Sequence, residues 1–201
     1  MQPSYQVIRE PAPMLARTLA DWGGRDDLWV FGYASLIWRP EFASPEQRPA
    51  LVRGWHRALR MRSHVNRGTP ECPGLVFALL PGGACRGVAY RLPGERVAQE
   101  LTRLWAREMV TGVYDPRLLE ASTPGGAVRA LTFTLSRRSP ACLPPLEDGH
   151  LLEVLRHARG RFGTTLEYLA QTAHALRARG ITDREIERLM ALAARNGLPV
   201  G

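Results

Sequence analysis

The stretch Leu28-Trp29-Val30-Phe31-Gly32-Tyr33-Ala34-Ser35-Leu36-Ile37-Trp38-Arg39-Pro40 decides how this chain is read. Residues 28–33 form an apolar, β-favouring run and read as a buried strand. The run then breaks at small residues and leaves on Arg39-Pro40. A strand that enters a small-residue turn exposes backbone N–H groups with little side-chain cover. Such a turn binds oxygen-rich ligands through its main chain. Gly32, Tyr33, Ala34, Ser35, Leu36 and Ile37 are the candidate binding residues there. A second stretch, Leu104-Trp105-Ala106-Arg107-Glu108-Met109-Val110-Thr111-Gly112-Val113-Tyr114, sets one carboxylate at the end of an apolar-periodic segment. Together they point to a small enzyme with a backbone cradle and one acid/base carboxylate.

Outward from these stretches the elements can be placed. Upstream, residues 14–22 are a short helix candidate, and Gly23-Gly24-Arg25-Asp26-Asp27 is the turn before the first core strand. Further strands are expected at 51–61, 74–80, 85–92 and 127–135, with Gly82-Gly83 as a hairpin signal between two of them. Residues 94–109 read as a helix, because Val97, Leu101, Leu104 and Trp105 recur at 3.6-residue spacing. Ser139-Pro140 and Pro144-Pro145 mark a rigid connector. Helices follow at 147–158, 165–178 and 183–195. Thr164-x-x-Glu167 and Thr182-x-x-Glu185 are capping-box patterns, and Gly180 ends the middle helix. The expected fold class is α+β: a small mixed β-barrel or strongly bent sheet with flanking helices and a helical C-terminal layer. Residues 1–27 are an N-terminal extension and 28–201 the domain proper.

Composition narrows the function classes. No apolar run reaches the ~20 residues that span a bilayer, so no membrane association is expected. The start, Met1-Gln2-Pro3-Ser4-Tyr5, lacks the charged and apolar blocks of a leader, which predicts a cytoplasmic protein. The cysteines are Cys72, Cys85 and Cys142, an odd set without close pairs, so reduced thiols are expected. Cys and His show no ligand spacing, and neither metal nor cofactor is predicted. The net charge is +8, which raises nucleic acid as a partner. All 27 Lys and Arg positions are Arg. They are scattered, and uniform Arg usage reads as coding bias rather than a site. No nucleic-acid partner is expected, and oligomeric state is not legible.

Three sets of residues are candidates for chemistry. Glu108 lies among Trp105, Met109 and Val110, with Tyr114 a turn later. Apolar surroundings raise a carboxyl pKa, which suits a general base or acid near neutral pH. The competing readings are a Glu on a solvated helix face, or one paired with Arg107 or Arg103. Ser35 is a possible nucleophile, but no G-x-S-x-G elbow surrounds it. His56, His64, His150, His157 and His174 are dispersed, which argues against a Ser–His hydrolase. Trp55 and Arg57, with Asn66-Arg67-Gly68, either line a pocket that grips a carboxylate or form a core Trp with snorkelling Arg neighbours.

The residues from Phe31 to Phe42, F-G-Y-A-S-L-I-W-R-P-E-F, resemble the F-G-Y-G-S-L-[IV]-W-x-P-x-F motif of the ChaC-like γ-glutamylcyclotransferases. The resemblance continues through Arg53-Gly54-Trp55-His56-Arg57, Arg67-Gly68-Thr69, Pro73-Gly74, Gly87-Val88-Ala89-Tyr90 and the Leu104 to Tyr114 segment. It closes with Gly163-x-x-x-Glu167-Tyr168-Leu169 and Gly180-Ile181-x-Asp183. It implies cleavage of the γ-glutamyl bond of glutathione to 5-oxoproline and Cys-Gly, without water, metal or cofactor. It places the acid/base carboxylate on Glu108 and the γ-glutamyl group in the turn at residues 33–36. Arg57, Tyr114 and Tyr168 join the substrate-binding set through their matched motifs. Arg39, Arg57 and Arg67 are candidates for the Cys-Gly carboxylate. The alternatives are a cyclotransferase for other γ-glutamyl amines or amino acids, and a non-catalytic basic binding protein on the same fold. One departure stands out: Ala34 occupies a motif Gly. If that Gly requires positive φ, Ala costs on the order of 1 kcal/mol; if it gives clearance, a methyl group narrows the pocket.

Overall fold

The computed structural model describes residues 8–24 and 26–200. Residues 1–7, on which the reading of an absent leader rests, and Arg25 of the predicted turn lie outside them. In chain order the principal elements are α1 (Pro11–Trp22), β1 (Leu28–Gly32), α2 (Ser35–Trp38), β2 (Glu46–Ser63), β3 (Gly74–Leu92), α3 (Gly94–Glu108), β4 (Asp115–Thr123) and β5 (Gly126–Thr134). Three helices end the chain, α4 (Asp148–His157), α5 (Thr165–Arg177) and α6 (Arg184–Arg195). The elements divide between two compact units: the described residues up to His56 with 79–136, and residues 57–78 with the described residues from 137 on. No helix among the described residues is long and apolar enough to cross a membrane.

The strands close in the order β1-β3-β2-β4-β5. Of the two shapes expected from the sequence, the mixed barrel is therefore the one adopted. In the first unit β1 runs antiparallel to β3, with Phe31 opposite Ala89, and parallel to β5, with Trp29 opposite Ala130. That parallel pair closes the barrel. Val30, Phe31, Ala89 and Ala130 are fully buried. Burial on both sides explains why β1 reads as a continuous apolar run rather than an alternating one. α3 brings Val97, Leu101, Leu104 and Trp105 to the core, the spacing the sequence predicts. Trp105 Nε1 donates to the Pro11 carbonyl at 3.0 Å, which ties the start of α1 to α3.

Two features of the first unit depart from the sequence reading. Gly82-Gly83 is not a hairpin, because β3 runs unbroken from Gly74 to Leu92. The two glycines take φ of 104° and 73°, and the Gly82 carbonyl lies 2.9 Å from His56 Nδ1. Positive φ at paired glycines serves a bulge as well as a turn, and here the strand continues through it. Strand β4 was not expected, yet it pairs with β5 along its whole length, from Asp115 opposite Thr134 to Thr123 opposite Gly126.

The second unit packs α4, α5 and α6 with the Arg57-to-Ser63 end of β2 and the Gly74-to-Ala78 end of β3. The α5 start is the predicted capping box. Thr164 Oγ1 accepts from Glu167 N–H at 3.0 Å, and Thr164 N–H donates to Glu167 Oε2 at 2.7 Å. The α6 start differs. Asp183, not Thr182, is the cap, and its Oδ1 accepts from the N–H groups of Glu185 and Ile186 at 3.1 Å each. The Asp183 Oδ2 pairs with Arg57, whose side chain has no exposed surface. Arg57 is therefore a buried charge with a carboxylate partner, not a snorkelling neighbour of a core Trp.

Candidate active site

The turn after β1 is built by close packing. A Cβ on Gly32 would lie 2.9 Å from Leu36 Cβ and 3.2 Å from the Tyr90 ring, so glycine lets α2 fold back over the strand end. Ile37 N–H donates to the Ala34 carbonyl at 2.8 Å. Tyr90 hydroxyl donates to the Leu36 carbonyl at 3.0 Å and holds the other side. Tyr33, Ala34, Leu36 and Ile37 are buried. Tyr33 hydroxyl reaches the Phe133 carbonyl at 3.0 Å. Ala34 has a φ of −143°, so this alanine does not occupy the left-handed region that would demand glycine.

Glu108 ends α3 beside the fully buried Met109. Arg107 organises the surroundings. Its Nε lies 3.0 Å from Glu108 Oε1, and its Nη2 donates to Ser35 Oγ at 3.0 Å. Its Nη1 donates to the Arg39 carbonyl and stands 3.1 Å from Glu41 Oε2. Glu108 and Ser35 are thus separated by no more than one guanidinium and two contacts of 3.0 Å. The Glu108 side chain keeps 16% exposure. Burial raises its pKa above the ordinary carboxyl value, Arg107 pulls it back, and the negative charge of Glu41 adds to the rise. Desolvation is the largest of these effects.

This shift has a consequence for stability. A carboxyl whose folded pKa is raised contributes stability that is complete below its unfolded pKa. That contribution is lost as pH climbs through the folded value. Glu108→Gln never ionises and escapes the loss. Its Tm relative to the parent should therefore rise as pH climbs above the ordinary Glu value near ~4.3. Thermal melts from that pH upward check this, and a constant difference would contradict it.

The remaining predicted residues divide by unit. Tyr114 lies with Glu108 in the first unit and is buried, its ring 6.2 Å from that of Phe133; Trp105 meets the same ring at 5.4 Å. Arg9 fastens the connection after Glu108, donating to the Gly112 carbonyl at 2.9 Å and to the Tyr114 carbonyl at 2.7 Å. Arg57 and Tyr168 lie in the second unit. There the Tyr168 hydroxyl accepts from Phe77 N–H at 3.3 Å, and the Arg67 guanidinium lies 5.1 Å from the Tyr168 ring centre. Among the candidates for the Cys-Gly carboxylate, Arg39 alone is in the first unit, paired with Glu41. A cavity of about 120 Å³ opens beside this pair, lined by Pro40, Glu41, Phe42, Arg103 and Arg107 among others. Arg107 both lines that cavity and touches Glu108. Sequence reasoning treated Arg107 as a possible partner of Glu108, not as the bridge to the turn, and did not single out Glu41. Among the described residues no group of His, Cys, Asp and Glu is arranged to hold a metal ion.

Comparison with known proteins gives concordant results. A family model described as ChaC-like protein matches residues 28–196. The glutathione-specific γ-glutamylcyclotransferase of Escherichia coli strain K12 is 37% identical over 180 residues, 89% of this chain and 78% of that protein. Glutathione-specific γ-glutamylcyclotransferase 1 of Mus musculus is 36% identical over 81% of this chain and 75% of its own. Among solved structures, a γ-glutamyl cyclotransferase specific to glutathione from yeast aligns with a TM-score of 0.78 at 21% identity. That alignment covers 85% of this chain and 97% of the yeast chain, and it is a likeness of fold.

Proposed function

Because the chain belongs to the ChaC-like protein family, we propose that it cleaves the γ-glutamyl bond of glutathione by intramolecular cyclisation. The products are 5-oxoproline and Cys-Gly. The observation that carries this reading is the arrangement at Glu108. A largely buried carboxyl with a raised pKa shares one guanidinium with Ser35 of the turn after β1.

The chemistry follows from those groups. The substrate's α-amine is tethered a few bonds from its own γ-carbonyl. Holding the two in near-attack geometry contributes about 7–11 kcal/mol. The α-ammonium gives a proton to Glu108, and the freed amine attacks the γ-carbonyl carbon. The C–N bond to the cysteine nitrogen then breaks. Protons leaving the attacking nitrogen end on the departing one through Glu108, so no water is consumed. An α-amine titrates near ~8 and an ordinary Glu near ~4.3. A raised Glu108 pKa narrows that gap and strengthens the base. Residues 32–37 form the γ-glutamyl cradle, and Tyr114 supports its floor through Phe133. We keep Arg57 and Tyr168 in the substrate-binding set on their motif positions alone. A reducing, cytoplasmic setting suits the thiols of Cys72, Cys85 and Cys142.

Purified protein given glutathione should release 5-oxoproline and Cys-Gly in equal amounts, without glutamate, at a rate unchanged by prolonged EDTA treatment. kcat/KM for glutathione should exceed that for γ-glutamyl-alanine by roughly tenfold to a hundredfold. That is the worth of one charge-assisted contact to the terminal carboxylate. Equal values would redirect the reading to γ-glutamyl amines in general.

A further inference from the structure

Glu41 falls on the unspecified position between Pro40 and Phe42 of the first motif. Its φ is 59°, and it is the one non-glycine residue with positive φ among the described residues. That conformation is costly for a side-chain-bearing residue and persists where surrounding contacts impose it. Here the contacts are ionic. Glu41 Oε1 pairs with the Arg39 guanidinium, and Oε2 stands 3.1 Å from Arg107 Nη1. The Nε of the same Arg107 lies 3.0 Å from Glu108 Oε1. One guanidinium therefore lies between two carboxylates, on α3 and on the loop after α2.

A guanidinium committed wholly to Glu108 would favour its ionised form and make it a poorer proton acceptor. It would also be free to leave Ser35. We propose that Glu41 is a positioning residue of the reaction: it shares Arg107 with Glu108, holds that guanidinium across the Ser35 turn, and weakens its grip on the catalytic carboxylate. This inference rests on the role given to Glu108 under the proposed function. The charged groups around it are few. Arg39 faces Glu41 from its own loop and Arg107 faces it from α3. Arg103 and Glu100 of α3, 3.6 Å apart, line the same cavity. Glu108 is faced by Arg107 and Glu41.

Two variants test this. Glu41→Gln keeps the shape and removes the charge. Glu41→Asn removes the charge and adopts positive φ more readily, which guards against a folding defect. The Glu108 side-chain carboxyl is followed by ¹³C NMR through a pH titration, its signal identified by its loss in Glu108→Gln. Both variants should move the Glu108 midpoint to lower pH by roughly half a unit or more, the scale of one nearby charge. The acid limb of kcat/KM for glutathione should move with it, and kcat near neutrality should fall several-fold with a smaller change in KM. A midpoint left at the parent value in both variants would overturn the proposal, whatever happens to Tm. A parent protein that does not turn over glutathione would overturn the proposed function instead. The carboxyl titration would still decide whether Glu41 acts on Glu108.

Discussion

Glu108→Gln is expected to lower kcat for glutathione by about 10²–10⁴, the usual worth of general acid–base catalysis. Glutamine preserves the size of the side chain and can still accept a hydrogen bond from Arg107. It cannot take a proton from the α-ammonium or return one to the departing nitrogen. KM should change little, because the proposed cradle at residues 32–37 is untouched. Circular dichroism should match the parent. At neutral pH the variant should also be the more stable of the two, since it no longer carries a charge in a desolvated place. Loss of activity with gain of stability is what separates a functional carboxylate from a structural one. Near-parental turnover by the variant would remove Glu108 from the mechanism.

The largest effect on stability should come from Asp183→Ala. It removes both the cap of α6 and the carboxylate partner of Arg57. The Arg57 side chain is wholly buried and that of Asp183 is 18% exposed. Removing a carboxylate from a buried guanidinium costs up to about 3–5 kcal/mol, and loss of a cap about 1. For a chain of this size the fall in Tm should be on the order of 10 °C. Asp183→Asn, which still caps, should recover part of the loss. Replacing both residues, as in Arg57→Leu with Asp183→Asn, should cost less than Asp183→Ala alone, because no charge is then stranded. A loss of about 1 kcal/mol in Asp183→Ala would mean that the cap alone matters.

Much of this architecture is legible in the sequence, for local reasons. β1 is continuous in apolar residues because both its faces are covered. α3 shows its buried stripe at helical spacing. The box at Thr164 and Glu167 closes on itself within four residues. What escaped reading was non-local or unpatterned. β4 buries Ala121 alone among its nine residues, so burial imprints no alternation on Pro116-Arg117-Leu118-Leu119-Glu120. Gly82-Gly83 carries the same signal for a bulge as for a turn, and the outcome depends on what stands opposite. Asp183 and Thr182 are both cap-forming types, and the neighbouring Glu185 fits a box with the wrong one. At the site, Glu108 and the turn each lie within a short local motif. The pairing of Glu41 with Arg107 spans 66 positions and that of Arg57 with Asp183 spans 126. No short window of sequence contains either.

The parallel pair that closes the barrel bears on the order in which the protein is made. β1 finds its β3 partner once residue 92 has been synthesised, but its other edge waits for Ala130 and Leu131 of β5. At about 5–20 residues per second, translation holds that edge open for roughly 5–20 s after β1 itself has been made. Such distant pairings also slow folding once the chain is complete. The turn that carries the candidate cradle hangs from the end of β1, and Tyr33 is anchored to Phe133 of β5. The first unit therefore has all its segments when residue 136 leaves the ribosome, while the second still lacks its three helices. A nascent chain halted before α4 carries every part of the Glu108 cluster with the second compact unit incomplete.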